Sequence, residues 1–131
     1  MGMYTELVLK CEVKDALPDE VRTMLNFLFN GGEIPIGLPE HPFFKCARWS
    51  MIGTCSSYYH VPFALSRFLE GHIFSRSDLK NYDNEIGLFL NWLHPYIDAF
   101  EGDCIGWKWY EEYRVPTLLI YTNVGVLPLD K

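Results

Sequence analysis

At 131 residues, with 49% apolar and 16% aromatic side chains, the chain is sized for one domain that buries its own core without metal or disulfide staples. Its net charge of -6, with 11 scattered Lys and Arg, argues against a binder of nucleic-acid phosphate, which needs clustered cations. No run approaches the roughly 18 apolar residues of a membrane span, and MGMYTELVLKCEV has neither the basic start nor the small-residue cleavage site of a secretory signal, so a cytoplasmic protein with no nucleic-acid or membrane partner is expected.

From Thr5 to Val13 the sequence alternates, with Leu7, Leu9, Cys11 and Val13 on one side, which predicts a half-buried strand. Pro18, Asp19 and Glu20 suit a helix start, and Val21, Met24, Leu25 and Leu28 form one stripe of a helix that Asn30-Gly31-Gly32 stops. EIPIGLPEHP, Glu33 to Pro42, holds three prolines and reads as a connector. Phe43 to Met51 and Ser56 to Pro62 are aromatic and β-compatible, and Gly53-Thr54 between them reads as a hairpin turn. Phe63 to Glu70 reads as a short crossing helix, although its pattern is ambiguous.

His72 to Leu79 is predicted as a strand. Asn81 to Asn84 supplies cap chemistry, with Asp83 or Asn84 as the acceptor, for a helix whose stripe is Ile86, Phe89, Leu90, Leu93 and Ile97, kinked or ended by Pro95. Ile105 to Arg114 reads as a strand with Ile105, Trp107, Trp109, Glu111 and Tyr113 on one side, and Pro116 to Thr122 as the last strand.

The expected fold is therefore α+β: a single domain, residues 1–131, with a mostly antiparallel sheet of about six strands and two helices on one face. LNFL at Leu25–Leu28 is echoed by LNWL at Leu90–Leu93, and a shift of 65 residues also sets Glu20 on Glu85 and Met24 on Phe89. The echo and the order strand, helix, strand, strand in each half make residues 4–63 and 72–122 candidate β-α-β-β repeats. In this order the chain resembles the gyrase-inhibitory-protein-like family, by topology and without a signature motif. The resemblance implies a curved sheet backed by two helices, and a central groove where an acidic residue and aromatic rings hold small, often cationic, molecules. Glu111, in a strand with Trp107 and Trp109, is the nearest analogue of that acid.

Four cysteines, Cys11, Cys46, Cys55 and Cys104, and four histidines, His41, His60, His72 and His94, are dispersed without C-x-x-C or H-E-x-x-H spacing, so no metal, disulfide or cofactor is expected. On the 56–62 strand, alternation separates Ser57 from His60 and disfavours a nucleophile-base dyad. Arg76 and Asp78 share a face as an ion pair or polar contact, whereas adjacent Glu111 and Glu112 point apart and cannot serve one site. The aromatic load is the functional signal. Tyr59, Trp107, Trp109 and Glu111 are the candidate ligand- or partner-binding residues, successive members of the strand row standing about 7 Å apart, with the face bearing Tyr58, His60 and Tyr110 as the other place to look. These residues suggest a non-enzymatic binding protein, engaging a protein partner or, alternatively, a small molecule such as a cationic ligand; a small hydrolase or transferase is the reading from another class.

Overall fold

The computed structural model describes residues 4–54 and 65–129. In chain order the elements are β1 (Thr5–Glu12), α1 (Asp19–Asn30), β2 (Arg67–Leu69), β3 (His72–Leu79), α2 (Glu85–Leu93), β4 (Cys104–Tyr110), β5 (Thr117–Thr122) and β6 (Gly125–Leu129). The strands form one antiparallel sheet in the order β2-β3-β1-β4-β5-β6, an α+β arrangement in one domain.

Alternation puts β1 at the centre of the sheet. Leu7, Leu9 and Cys11 are buried on one face, and the backbone pairs with β3 on one side and β4 on the other. On the same face lie Ile73 and Leu79 of β3, and Leu119 of β5. The helices bury their stripes in the same cluster: Val21, Met24, Leu25, Leu28 and Phe29 from α1, and Ile86, Phe89, Leu90, Trp92 and Leu93 from α2. Phe29 and Phe89 meet edge to face, with centroids 5.9 Å apart, where the two helices approach.

The segment predicted as a strand at 43–51 is instead a pair of 3-10 turns, Pro42–Lys45 and Trp49–Met51. Pro42 fits the first position of such a turn, and the His41 ring accepts from the Phe43 amide, so local bonding competes with a ladder. Phe43, Phe44 and Trp49 then plug the gap beside α2, with Phe43 5.4 Å from Phe89 and Phe44 5.2 Å from Trp92. Gly53 does occupy a turn, but one that abuts α1: at φ +94° its missing Cβ would lie 2.2 Å from the Leu28 carbonyl oxygen. The predicted strand at 56–62 lies outside the described residues.

Where a crossing helix was expected, residues 67–69 form an edge strand. Glu70 and Gly71, at φ 50° and 78°, make the two-residue turn whose twist suits a hairpin. The sequence reading also missed β6, reached through Asn123-Val124. The α2 cap differs as well: Asn81 Oδ1 accepts from Ile86 N at 2.9 Å, while Asn84 takes a left-handed conformation without a side-chain cap bond. Pro95 falls in the 3-10 turn His94–Tyr96, so it ends the helix rather than kinking it.

Among the described residues the order is strand, helix, two strands, helix, three strands, and a duplicated unit is not shown. The echo between LNFL and LNWL has a simpler basis in packing. Leu25 and Leu90, and Leu28 and Leu93, are all buried, whereas Asn26 and Asn91 face solvent.

Candidate functional site

The helices cover one face of the sheet, and register identifies the side chains on the other. Val8 stands opposite both Arg76 and Trp107, Trp107 opposite Leu118, and Leu118 opposite Leu129. This row crosses five strands. Beside it run Phe74 with Lys10, and Ile120 with Leu127; on the other flank Glu6 stands opposite both Asp78 and Trp109. Phe74 is 54% exposed, Trp107 37%, Leu127 48% and Leu129 49%, so this face carries large apolar side chains that the fold leaves in contact with water.

A bulge places the two indoles there. Cys104 pairs with Ile120 and Gly106 with Leu119, which leaves Ile105 as an extra residue in β4. Strict alternation would put Ile105 and Trp107 on one side. The inserted residue lets Ile105 enter the core while Trp107 and Trp109 point away from it. Gly106 permits the close approach: it sits at φ +153°, and a Cβ there would lie 2.0 Å from the Val8 carbonyl oxygen.

The expected row of Trp107, Trp109, Glu111 and Tyr113 is brought together only in part. β4 ends at Tyr110, and Glu111 belongs to the following turn, where its amide donates to the Tyr4 carbonyl at 3.1 Å and its carboxylate accepts from the Tyr4 amide. Glu111 therefore ties the start of β1 to the end of β4. The Trp109 indole N–H donates to the Tyr113 carbonyl at 2.8 Å, which fixes that ring against the same turn. Tyr59, together with Ser57, Tyr58 and His60, lies outside the described residues. Tyr110 stands opposite Thr5, on the helix side of the sheet.

The charges on the open face are organised around Arg76, whose Nε donates to the Glu6 carboxylate. At one end, Lys10, Glu12, His72 and Phe74 border a groove of ≈ 390 Å³ closed by Asp98, Asp103 and Cys104. Asp103 accepts from the Phe100 amide at 2.9 Å, a turn-closing contact. Among the described residues no three His, Cys, Asp or Glu gather as metal ligands.

The histidines with defined partners serve the scaffold. His41 Nδ1 accepts from Phe43 N, which leaves the proton on Nε2 to donate to Asn91 Oδ1 at 2.9 Å. His94 Nε2 donates to the Thr122 carbonyl at 2.7 Å while its ring stacks on Tyr121. Cys11, Cys46 and Cys104 are free thiols. Burial, and then the Glu85 and Asp83 carboxylates, push the Cys46 thiol pKa up, away from the reactive thiolate.

Sequence reasoning missed Val8, Phe74, Leu118, Ile120, Leu127 and Leu129 as members of this face. Leu127 and Leu129 went unseen because β6 was not anticipated, and Phe74 because the polar letters around it resemble a solvated edge. Comparison with protein-family models, curated proteins and solved structures finds no match to this chain.

Proposed function

We propose that the chain is a non-enzymatic binding protein that engages a protein partner through the sheet face opposite the helices, where Phe74, Trp107, Leu127 and Leu129 are exposed. The observation behind this reading is the Gly106 bulge, which turns Trp107 and Trp109 onto a face already carrying Phe74, Leu127 and Leu129. An apolar, aromatic centre with Lys10, Glu12 and Arg67 around it has the layout of a protein interface, where aromatic anchors supply most of the affinity and the charged rim sets orientation. The extended row from Arg76 to Leu129 suits a broad complementary surface better than a small ligand, which needs enclosure. No helix among the described residues is long and apolar enough to cross a membrane. The free thiols of Cys11, Cys46 and Cys104, among the described residues, suit a reducing compartment, so the cytoplasm is the proposed location.

The test is capture of partners from native extract on wild-type protein, Trp107→Ala and Phe74→Ala, each checked by thermal melting. A partner held by the wild type should be lost from both variants, because truncating a central aromatic anchor costs about 2 kcal/mol or more. Equal retention on all three would remove this face as the binding surface.

A further inference from the structure

A second surface, on the helix side of the sheet, has different chemistry. A cavity of ≈ 340 Å³ lies where the start of β1, the end of β4 and the start of β5 meet the turn before α2. That volume falls at the small end of ligand pockets, which run from about 300 to 1,000 Å³. Its floor is set by register: Tyr110 opposite Thr5, and Lys108 opposite Thr117. Its walls are Asn81 and Tyr82, in the turn before α2, and Tyr113, in the turn after β4.

The lining is rich in donors and poor in charged acceptors. Lys108 is half-buried and, among the described residues, pairs with no carboxylate. Two nearby cations are engaged elsewhere: Arg48 with Asp83, Glu85 and the Tyr82 ring, and Lys80 over the Tyr4 ring. Asn81 commits its carbonyl oxygen to the Ile86 amide, which leaves its NH₂ as the group it can offer a ligand. Three phenols and two threonine hydroxyls complete the set, and no carboxylate lines the cavity. Partial burial, followed by Glu112, Glu111 and the phenols of Tyr113 and Tyr82, pushes the Tyr110 pKa up, so its hydroxyl stays protonated and able to donate at neutral pH. The Tyr110 and Tyr113 rings meet edge to face with centroids 5.4 Å apart, and both line the cavity together with Lys108.

We infer that this cavity binds a small aromatic anion, its carboxylate or phosphate head on Lys108 and the surrounding hydroxyls, and its ring against Tyr110 and Tyr113. A half-buried ammonium beside neutral donors favours an acceptor-rich head, because charge-assisted bonds are the stronger ones. A cationic ligand would meet Lys108 as a like charge. Glu111 and Glu112, outside the lining, weaken the local positive field, so binding should be sensitive to salt and modest in strength.

The test is an amide-shift NMR titration of the full chain with 4-hydroxybenzoate, phenyl phosphate, benzyl alcohol and benzylamine. Either or both anions should shift Lys108, Tyr113 and Thr117 saturably, and their relative affinities separate a carboxylate from a phosphate preference. Binding should weaken at least tenfold in Lys108→Met, weaken in Tyr113→Ala, and remain unchanged in Trp107→Ala, which keeps this site distinct from the open face. Should Lys108→Met not fold, loss of affinity on raising salt and in Tyr113→Ala takes its place. Shifts from neither anion, equal affinity in the Lys108 and Tyr113 variants, or tighter binding of benzylamine would each overturn the inference.

Discussion

At Gly106 the backbone of β4 comes so close to β1 that a methyl group would have to displace the Val8 carbonyl, itself part of the central ladder. Gly106→Ala is therefore expected to cost about 3 kcal/mol or more, as steric overlap and positive-φ strain add; a urea melt within about 0.5 kcal/mol of wild type would show that the bulge does not depend on glycine. Alternation read the face of Trp107 and Trp109 correctly relative to one another, but it could not register one inserted residue, so Ile105 was placed on the wrong side. The glycine at the insertion was the only local sign. Cys11 carries a second expectation at this scale. Burial, with a smaller contribution from Glu12, pushes its thiol up to about 12, whereas a thiol in the unfolded chain titrates near about 8.5. The folded state thus holds its proton longer: the stability is fully present below about pH 8.5 and is lost as pH rises toward about 12, at roughly 1.4 kcal/mol per unit within that window. Urea midpoints near pH 7.5 and 10 should diverge more for wild type than for Cys11→Ala, and parallel behaviour would mean that Cys11 is accessible to solvent.

Among the elements, β2 is the one with least intrinsic support, being three residues long on the edge of the sheet. Asn30, the last residue of α1, compensates by bonding both backbone groups of Phe68: its Oδ1 accepts from Phe68 N at 2.9 Å and its Nδ2 donates to Phe68 O at 2.8 Å. One amide thereby stands in for a neighbouring strand and couples the end of α1 to the hairpin. Asn30→Ala should cost about 1–3 kcal/mol by leaving these groups without their partner, with hydrogen exchange at Phe68 rising more than at the centre of β1; unchanged protection at Phe68 would refute the coupling. The sequence shows Asn30 only as a helix stop, because its partner is 38 residues away. Strong periodicity made β1, α1 and α2 legible, and β3 was legible from a weaker, more polar pattern, whereas residues 43–51 misled because aromatic richness serves a strand and an aromatic plug equally well, and only the turn bonding of Pro42 and His41 separates them.

At the scale of the whole molecule, the two edges of the sheet are both blunted. β2 is short and bonded by Asn30, and β6 is five residues long and contains Pro128, which has no amide to donate. Addition of a strand at either edge is thus disfavoured, and the large unpaired surface is the face rather than the rim. If that face is open to water in the isolated chain, its side chains contribute little to folding and can be charged at small cost. Phe74→Lys and Leu127→Lys should each shift stability by less than about 0.5 kcal/mol, as surface substitutions away from structural contacts usually do. Both should also lower binding of a hydrophobic dye to the native protein, since each interrupts the apolar surface flanking Trp107. A core position would behave differently, because a lysine forced against packed apolar groups loses its hydration without a partner. Losses above about 2 kcal/mol in both variants would show that this side of the sheet is covered in solution, and would move the search for a partner surface to the helix side.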